Sequence, residues 1–256
     1  MFLEERQDLI LQRVREQQSV RIADLVEEFG VTRETIRRDL YELEKRGLIR
    51  KVHGGAVINK TEIFKNEPPY AQRSTINLEE KEKIAARAAE FVEDGDTLYL
   101  DIGTTTLIFA RKLKSKKNLT IITNSLPIAI EFGNLPNHKV ILGGGEMRAG
   151  EMSLSGPSAV QSLKHYYVDK AFIGVGGVSL DNGFTDYHVH EAEIRKLMLS
   201  HAKEKYALFD HTKMHITAFY KCADIQDIDV VITDSAASPH LLEVMRNHGV
   251  EVVIAT

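Results

Sequence analysis

From residue 97 onward the chain repeats one pattern: a short apolar run, a polar or glycine-rich break, then a stretch with helical period. The apolar runs fall at 97–101, 119–123, 139–142, 169–175, 206–209, 229–233 and 250–255. They are the length of strands and are bounded by turn residues, whereas buried helices run longer. Helical patterns lie near 105–113, 126–132, 157–164, 189–202 and 239–247. Strands that read as continuous apolar runs are covered on both faces, and helices between them carry the chain back for parallel pairing. The expected fold is therefore a Rossmann-like α/β domain with a mainly parallel sheet. In such sheets, ligands bind beyond the carboxyl ends of the strands.

Those ends carry the polar residues. Asp101-Ile102-Gly103-Thr104-Thr105-Thr106 follows one run and opens a helix, so backbone N–H groups, hydroxyls and a helix N-terminus can together hold a phosphate. Thr123-Asn124-Ser125 repeats the arrangement after the next run. Gly143-Gly144-Gly145-Glu146-Met147-Arg148, Gly174-Val175-Gly176-Gly177 and Asp210-His211-Thr212-Lys213 follow three others. Neither glycine cluster is G-x-G-x-x-G, because Arg148 and Ser179 stand at the third glycine, and no G-x-x-x-x-G-K-[ST] occurs. Dinucleotides and nucleoside triphosphates are disfavoured, and no cofactor is expected.

The first sixty residues follow different rules. Glu4 to Gln17 reads as a helix, with Ile10 and Val14 one turn apart. Ile22, Leu25, Val26 and Phe29 share one face of a second helix, which Gly30 stops. Thr32 is placed to cap a third helix whose buried stripe is Ile36, Leu40 and Leu43. Glu34, Arg38 and Tyr41 then face outward, with Arg37 on the flank and Arg33 and Thr35 near the N-terminal end, the part of a recognition helix that meets base edges. Leu48 to Val57 reads as two strands around a Gly54-Gly55 turn, a basic wing bearing Arg50, Lys51 and His53.

Charge supports this reading. The net charge is -4, yet residues 31–60 carry eight basic side chains against four acidic, while residues 1–30 carry four against seven. An acidic chain with one basic block offers a local surface for phosphates. A winged helix-turn-helix at 1–58, a linker at 59–74 stiffened by Pro68-Pro69, and an α/β domain at 75–256 are expected. Within the last, Asn77 with Glu80 resembles a capping box before the stripe Ile84, Ala88 and Phe91.

The run Val31-Thr32-x-x-Thr35-Ile36-Arg37-Arg38-Asp39-Leu40, followed by Leu43-Glu44-x-x-Gly47-x-Ile49-x-Lys51-Val52-His53-Gly54-Gly55-Ala56, resembles the signature of the DeoR family of bacterial regulators. Thr32 stands where the family usually has Ser. The resemblance continues through Asp101-x-Gly103-Thr104-Thr105, Thr123-Asn124-Ser125, Gly143-Gly144, Gly174-Val175-Gly176-Gly177 and Asp210-x-Thr212-Lys213, nearly the whole chain. It implies a sensor domain similar in fold to ribose-5-phosphate isomerase and sugar-phosphate deaminases. It also implies a repressor of a carbohydrate-catabolic operon, released from double-stranded operator DNA by a phosphorylated sugar. Operator contacts are expected from Arg33, Thr35, Arg37, Arg38, Arg50, Lys51 and His53. Effector contacts are expected from Asp101, Gly103, Thr104, Thr105, Thr106, Thr123, Asn124, Ser125, Gly144, Arg148, Gly176, Glu191, Asp210 and Lys213. One recognition helix reads one half-site, so a homo-oligomer, dimer or tetramer, is expected.

His188-x-His190 and His211-x-x-x-His215 have spacings that could ligate a metal, but no cysteine lies near and the loops already have an explanation, so no metal is expected. Asp181, Asp186, Glu191 or Glu193 could include a general base, which keeps a sugar-phosphate isomerase or deaminase with a DNA anchor as an alternative to a regulator without catalytic residues. A regulator whose DNA binding is promoted by the sugar phosphate is another. Cys222, the single cysteine, is expected to be buried and inert. A charged N-terminus without an apolar leader, together with that cysteine count, fits a cytoplasmic protein, and no apolar run is long enough for a membrane helix.

Overall fold

The computed structural model describes residues 3–17, 19–45, 49–58 and 67–256. Gly47 of the motif, Leu48 of the expected wing, Arg46 and Lys60 of the basic block, and the rest of residues 59–66 of the expected linker lie outside the described residues. The chain divides into two compact units, Met1–Asn66 and Glu67–Thr256.

In the first unit, α1 (Leu3–Gln17), α2 (Ile22–Phe29) and α3 (Arg33–Lys45) pack around Ile10, Val14, Leu25, Ile36, Leu40 and Leu43. Gly30 closes α2 with its N–H on the Val26 carbonyl. The Thr32 hydroxyl accepts from the Thr35 N–H at 3.2 Å, as a cap should. β1 (Ser19–Arg21), β2 (Ile49–Val52) and β3 (Gly55–Ile58) form an antiparallel sheet in the order β1-β3-β2. Two details correct the sequence reading. β1 was not anticipated, because a three-residue strand has no period to read. The wing turn is His53-Gly54, and Gly55 belongs to β3. Gly55 pairs with Arg21, and a Cβ added there would lie 2.0 Å from the Val20 carbonyl oxygen, so the third strand itself requires glycine.

The second unit is a three-layer α/β sandwich. Its sheet comprises β4 (Thr97–Leu100), β5 (Thr120–Thr123), β6 (Lys139–Leu142), β9 (Val168–Ile173), β12 (Ala202–Leu208), β14 (Val230–Asp234) and β15 (Glu251–Ala255). All pairings are parallel, in the order β15-β14-β12-β9-β4-β5-β6. These are the seven runs expected from the sequence. On one face, α5 (Leu78–Ala89), α6 (Thr104–Lys112) and α7 (Leu126–Gly133) bury Ile84, Ala88, Ile108, Phe109, Ile128 and Phe132 against it. On the other, α8 (Pro157–Leu163), α9 (Val189–Ser200) and α10 (Pro239–Asn247) bury Leu163, Ile194, Met198, Leu241 and Met245. Full burial of each of these side chains other than Ala88 contributes about 1.5–3 kcal/mol.

Chain order starts at β4, moves outward to β6, then returns to the other side of β4 at β9. The crevice between the carboxyl ends of β4 and β9 is thus the topological switch point, where ligands bind in open α/β sheets. Short elements decorate this end. A hairpin, β7 (Glu146–Arg148) with β8 (Ser153–Ser155), and a small antiparallel sheet of β10 (Gly177–Ser179), β11 (Gly183–Asp186) and β13 (Tyr220–Ala223) were not anticipated. Residues 67–74, read as the end of a linker, are counted in the second unit and include the helical turn α4 (Tyr70–Arg73). Asn77 does not cap α5: its backbone is left-handed (φ 51°) and its side chain donates to Asp210 Oδ1 at 3.1 Å.

Candidate nucleic-acid interface and ligand site

In the first unit, Arg33, Arg37 and Arg38 are exposed on α3, and Arg50, Lys51 and His53 are exposed on the wing. Arg37, Arg38, Lys51 and His53 line one shallow groove with Glu34 and Tyr41, so the recognition helix and the wing present their cations to a common space. The Arg37 side chain is 62% exposed and only 3.7 Å from Glu34, a contact that leaves its fork available. Lys51 is more fixed: its N–H donates to Glu44 Oε1 at 2.7 Å, and its ammonium lies 5.3 Å from the centre of the Tyr41 ring. The Thr35 hydroxyl is 2.9 Å from that of Thr32, a contact within the cap. A buried pair, Arg6 Nε to Asp39 Oδ2 at 2.6 Å, ties α1 to the inner face of α3.

In the second unit, the switch point is bridged by Asp101. Its Oδ2 accepts from the Gly174 N–H at 3.2 Å and from Arg195 Nε at 2.6 Å, and its Oδ1 accepts from the Tyr99 hydroxyl at 3.2 Å. Arg195 Nη1 donates to Asp186 Oδ2 at 2.7 Å. Arg195 is 2% exposed, which makes this a buried Asp–Arg–Asp triad. Burial works to raise the Asp186 pKa, but Arg195 and the His188 and Tyr187 N–H groups outweigh it and hold the carboxyl below its ordinary range. Cys222 lies 3.5 Å from Arg195 Nη1, and burial pushes its thiol up to about 11, so it carries little thiolate near neutral pH.

Beside this triad, Gly103 (φ 144°) turns the chain into α6, and a Cβ there would lie 3.0 Å from Thr106 Oγ1. No side chain caps α6, so its first-turn N–H groups point to the strand end without a side-chain acceptor. Thr104, Thr105 and Thr106 are buried in that turn, and Thr106 Oγ1 donates to the Gly103 carbonyl at 3.1 Å. Thr123 and Asn124 are engaged within the protein. The Thr123 hydroxyl donates to the Leu100 carbonyl at 2.6 Å and accepts from the Ser125 N–H at 3.0 Å. Asn124 Oδ1 accepts from the Tyr99 hydroxyl at 3.0 Å, and Nδ2 donates to the Leu154 carbonyl at 3.3 Å. Ser125 caps α7 through the Ile128 N–H at 3.4 Å. The exposed Gly144 donates its N–H to Ser162 Oγ at 2.9 Å, and Gly176 pairs with the Thr185 carbonyl at 2.9 Å.

The β7/β8 hairpin delivers Arg148 to Glu191, Nη1 to Oε2 at 2.8 Å, and Ser153, whose hydroxyl lies 2.5 Å from Glu191 Oε1. Burial pushes the Glu191 pKa up to about 7, with Ser153 and Arg148 only partly opposing it. Asp210 Oδ1 accepts from the Thr212 N–H at 3.0 Å as well as from Asn77. Lys213 and Lys81 share its field. Burial lowers both lysine pKa values, Asp210 raises them, and Arg73 lowers both. Glu67 and Asp186 act on Lys213, and Glu80 acts on Lys81, in the sense opposite to Arg73, so both lysines lie among carboxylates as well as beside an arginine.

Residues 6–62 match the DeoR-like helix-turn-helix domain, and residues 76–235 match the DeoR C terminal sensor domain. This chain belongs to the DeoR family. It is a DNA-binding transcriptional regulator with an N-terminal helix-turn-helix and a C-terminal sensor domain. It is similar to the HTH-type transcriptional regulator GolR of Listeria innocua, 35% identical over 100% of both chains. It is also similar to the Glycerol-3-phosphate regulon repressor of Escherichia coli (strain K12), 30% identical over 97% of each, and to the HTH-type transcriptional repressor GlcR of Bacillus subtilis, 33% identical over 99% of this chain and 97% of that one. Among solved structures, ribose 5-phosphate isomerase A of Methanocaldococcus jannaschii covers 54% of this chain and 55% of its own, at a TM-score of 0.40 and 20% identity.

Several residues of this DeoR sensor unit were not singled out from the sequence: Arg195, Tyr99, Ser153, Lys81, Arg73 and Glu67. Arg195 had a readable signal, since it interrupts the buried α9 stripe Ala192, Ile194, Met198 and Leu199 one turn after Glu191. Lys81 likewise sits on the buried face of α5, where its ammonium donates to the carbonyls of Arg73 and Ile76 at 2.5 and 2.7 Å. Among the described residues no group of His, Cys, Asp and Glu is arranged to hold a metal ion, and no helix is long and apolar enough to cross a membrane.

Proposed function

We propose that this regulator is a repressor whose sensor unit binds a phosphorylated sugar and thereby releases the operator. The observation that carries the reading is the Gly103–Thr106 turn: an uncapped helix start at the switch point of a parallel sheet. The N–H groups and hydroxyls of Thr104, Thr105 and Thr106 hold the phosphate, and Lys213 balances its charge. Arg148, Glu191 and Asp210 face the sugar. Asp101, fixed by Arg195 and Tyr99, sets the width of the crevice. Thr123 and Asn124 act through position, by holding the neighbouring strand end and the β8 backbone.

On the DNA side, Arg37 and Arg38 read base edges from α3, while Arg33, Arg50, Lys51 and His53 hold phosphates and the adjacent groove. One helix covers one half-site, so the working form is a homo-oligomer acting on cytoplasmic DNA. A sugar phosphate releases the operator by as much as its affinity differs between the two states of the protein. The name of one relative makes glycerol 3-phosphate a reasonable first probe.

The test is thermal unfolding with phosphorylated sugars and polyols, each paired with its unphosphorylated counterpart, glycerol 3-phosphate against glycerol included. A ligand of the native state raises the unfolding temperature, and only phosphorylated members should do so. Equal stabilisation by both members of every effective pair contradicts a phosphate cradle. A second reading has one observation in its favour, the Glu191 pKa near 7, which suits a general base. Conversion of any stabilising sugar phosphate by the full chain would support it. A sensor binds without turnover.

A further inference from the structure

The second fork position of Arg148 is occupied. While Nη1 holds Glu191, Nη2 holds Glu67 Oε2 at 2.8 Å, and Glu67 Oε1 lies 2.9 Å from Arg73 Nη2. Arg73 also pairs with Glu151 and donates from Nε to the Pro68 carbonyl at 2.9 Å. These contacts fasten the stretch Glu67–Arg73 to Arg148, one of the residues expected to face the sugar, and to Glu151. Glu67 is the first residue of the sensor unit, and eight residues, 59–66, connect it to the last residue of β3 in the DNA-binding unit.

We propose that the Glu67–Arg148 pair is a latch: an effector oxygen that takes Arg148 displaces Glu67 and frees the stretch Glu67–Pro69 that leads to the DNA-binding unit, loosening the start of the helical turn whose Arg73 stays on Glu151. The inference rests on the reading of Arg148 as an effector contact. The two carboxylates on Arg148 are not equivalent. Glu191 is 1% exposed, in the first turn of a twelve-residue helix, with Ser153 on its other oxygen. Glu67 is 12% exposed, on irregular backbone before a four-residue helix. Glu67 is the partner that can leave.

Its departure strands no buried charge. Arg148 keeps Glu191 and gains the ligand, Arg73 keeps Glu151, and Glu67 passes to water. Removing one partner of a buried pair is costly when it leaves the other uncompensated, and here each arginine has a second carboxylate. A sugar hydroxyl or carboxylate that accepts from the planar fork is the group able to compete. The closed latch corresponds to the operator-binding state and the open latch to the effector-bound state, so breaking the pair by substitution should imitate effector.

The experiment uses the full chain without any sugar and an operator fragment that the wild type selects from random duplexes. Amide hydrogen exchange over residues 67–76 and operator affinity at one salt concentration are compared for wild type, Glu67→Ala, Glu67→Gln and Arg148→Met. Opening the latch should speed exchange in this segment and weaken operator binding, each roughly tenfold, in Glu67→Ala and Arg148→Met. Glu67→Gln, which keeps the shape, should change both in the same direction by less, with exchange in β4, β9 and β14 unaltered. Wild-type operator affinity despite a loosened segment overturns the latch, and so does an unaltered segment in Glu67→Ala. Because no sugar is present, this result stands apart from the phosphate test: a protein that ignores every phosphorylated probe can still pass or fail it.

Discussion

The two units place their charges differently. In the DNA-binding unit the residues assigned to function are exposed: Arg33, Arg37, Arg38, Arg50 and His53 stand over a helical and strand framework whose core is almost wholly apolar. In the sensor unit the carboxylates around the switch point and their arginine are buried and already paired: Asp101, Asp186, Glu191 and Arg195 are inside, while Gly144 is exposed and Lys213 half-buried. A surface site binds a polyanion by adding contacts. A buried, paired group can respond only by exchanging partners, and partner exchange links binding to conformation. The contrast is one of degree, since Arg6–Asp39 is a buried pair in the first unit as well.

The contrast breaks most readily at Arg195. Arg195→Met leaves Asp101 and Asp186 buried without their cation, and should destabilise the sensor unit by about 3–5 kcal/mol, read by urea unfolding. A loss below 1 kcal/mol, typical of an exposed pair, would place this triad with surface charges.

Glu191 comes next. Its folded-state pKa of about 7 lies above the ordinary 4.5, so its contribution to stability is complete below that ordinary value and is lost as pH rises through 7. Between pH 5 and 8 the wild type should lose up to about 3 kcal/mol relative to Glu191→Gln, which has no proton to release. Parallel pH profiles for the two proteins would remove Glu191 from the buried, strained carboxylates.

For the DNA-binding unit, Arg37→Ala and Arg38→Ala should each weaken operator binding by about 1–3 kcal/mol. Sensor stability and sugar-phosphate binding should stay at wild-type values. The smallest effect is expected at Thr32: replacing it with Ala removes the α3 cap and should cost about 1 kcal/mol of first-unit stability. A larger loss would mean that the first unit also depends on polar contacts.

This division explains what the sequence could disclose. The central strands were readable because a strand buried on both faces is a continuous apolar run, and the recognition helix because Ile36, Leu40 and Leu43 follow the helical period. β1, β7, β8 and β10 were not, since three residues carry no period and their pairing is tertiary. The strand-end loops marked the site, but its charge partners bridge long separations: Arg195 and Asp101 are 94 residues apart, and Arg148 and Glu67 are 81 apart. Asn77 shows the converse error. Its spacing to Glu80 imitates a capping box, yet the fold brings Asp210 to its side chain, and that contact replaces the cap.

The central claim is that occupancy of the sensor unit lowers affinity for DNA. Its most direct measurement is operator affinity, titrated with the phosphorylated sugar that most stabilises the chain, for wild type and Lys213→Ala in one buffer at one salt concentration. The account predicts that wild type releases the operator as the sugar phosphate is added. It predicts that Lys213→Ala, whose DNA-binding unit is intact, holds the operator at the same sugar concentration. Operator affinity in the wild type that stays constant, or rises, as the sensor saturates would contradict it.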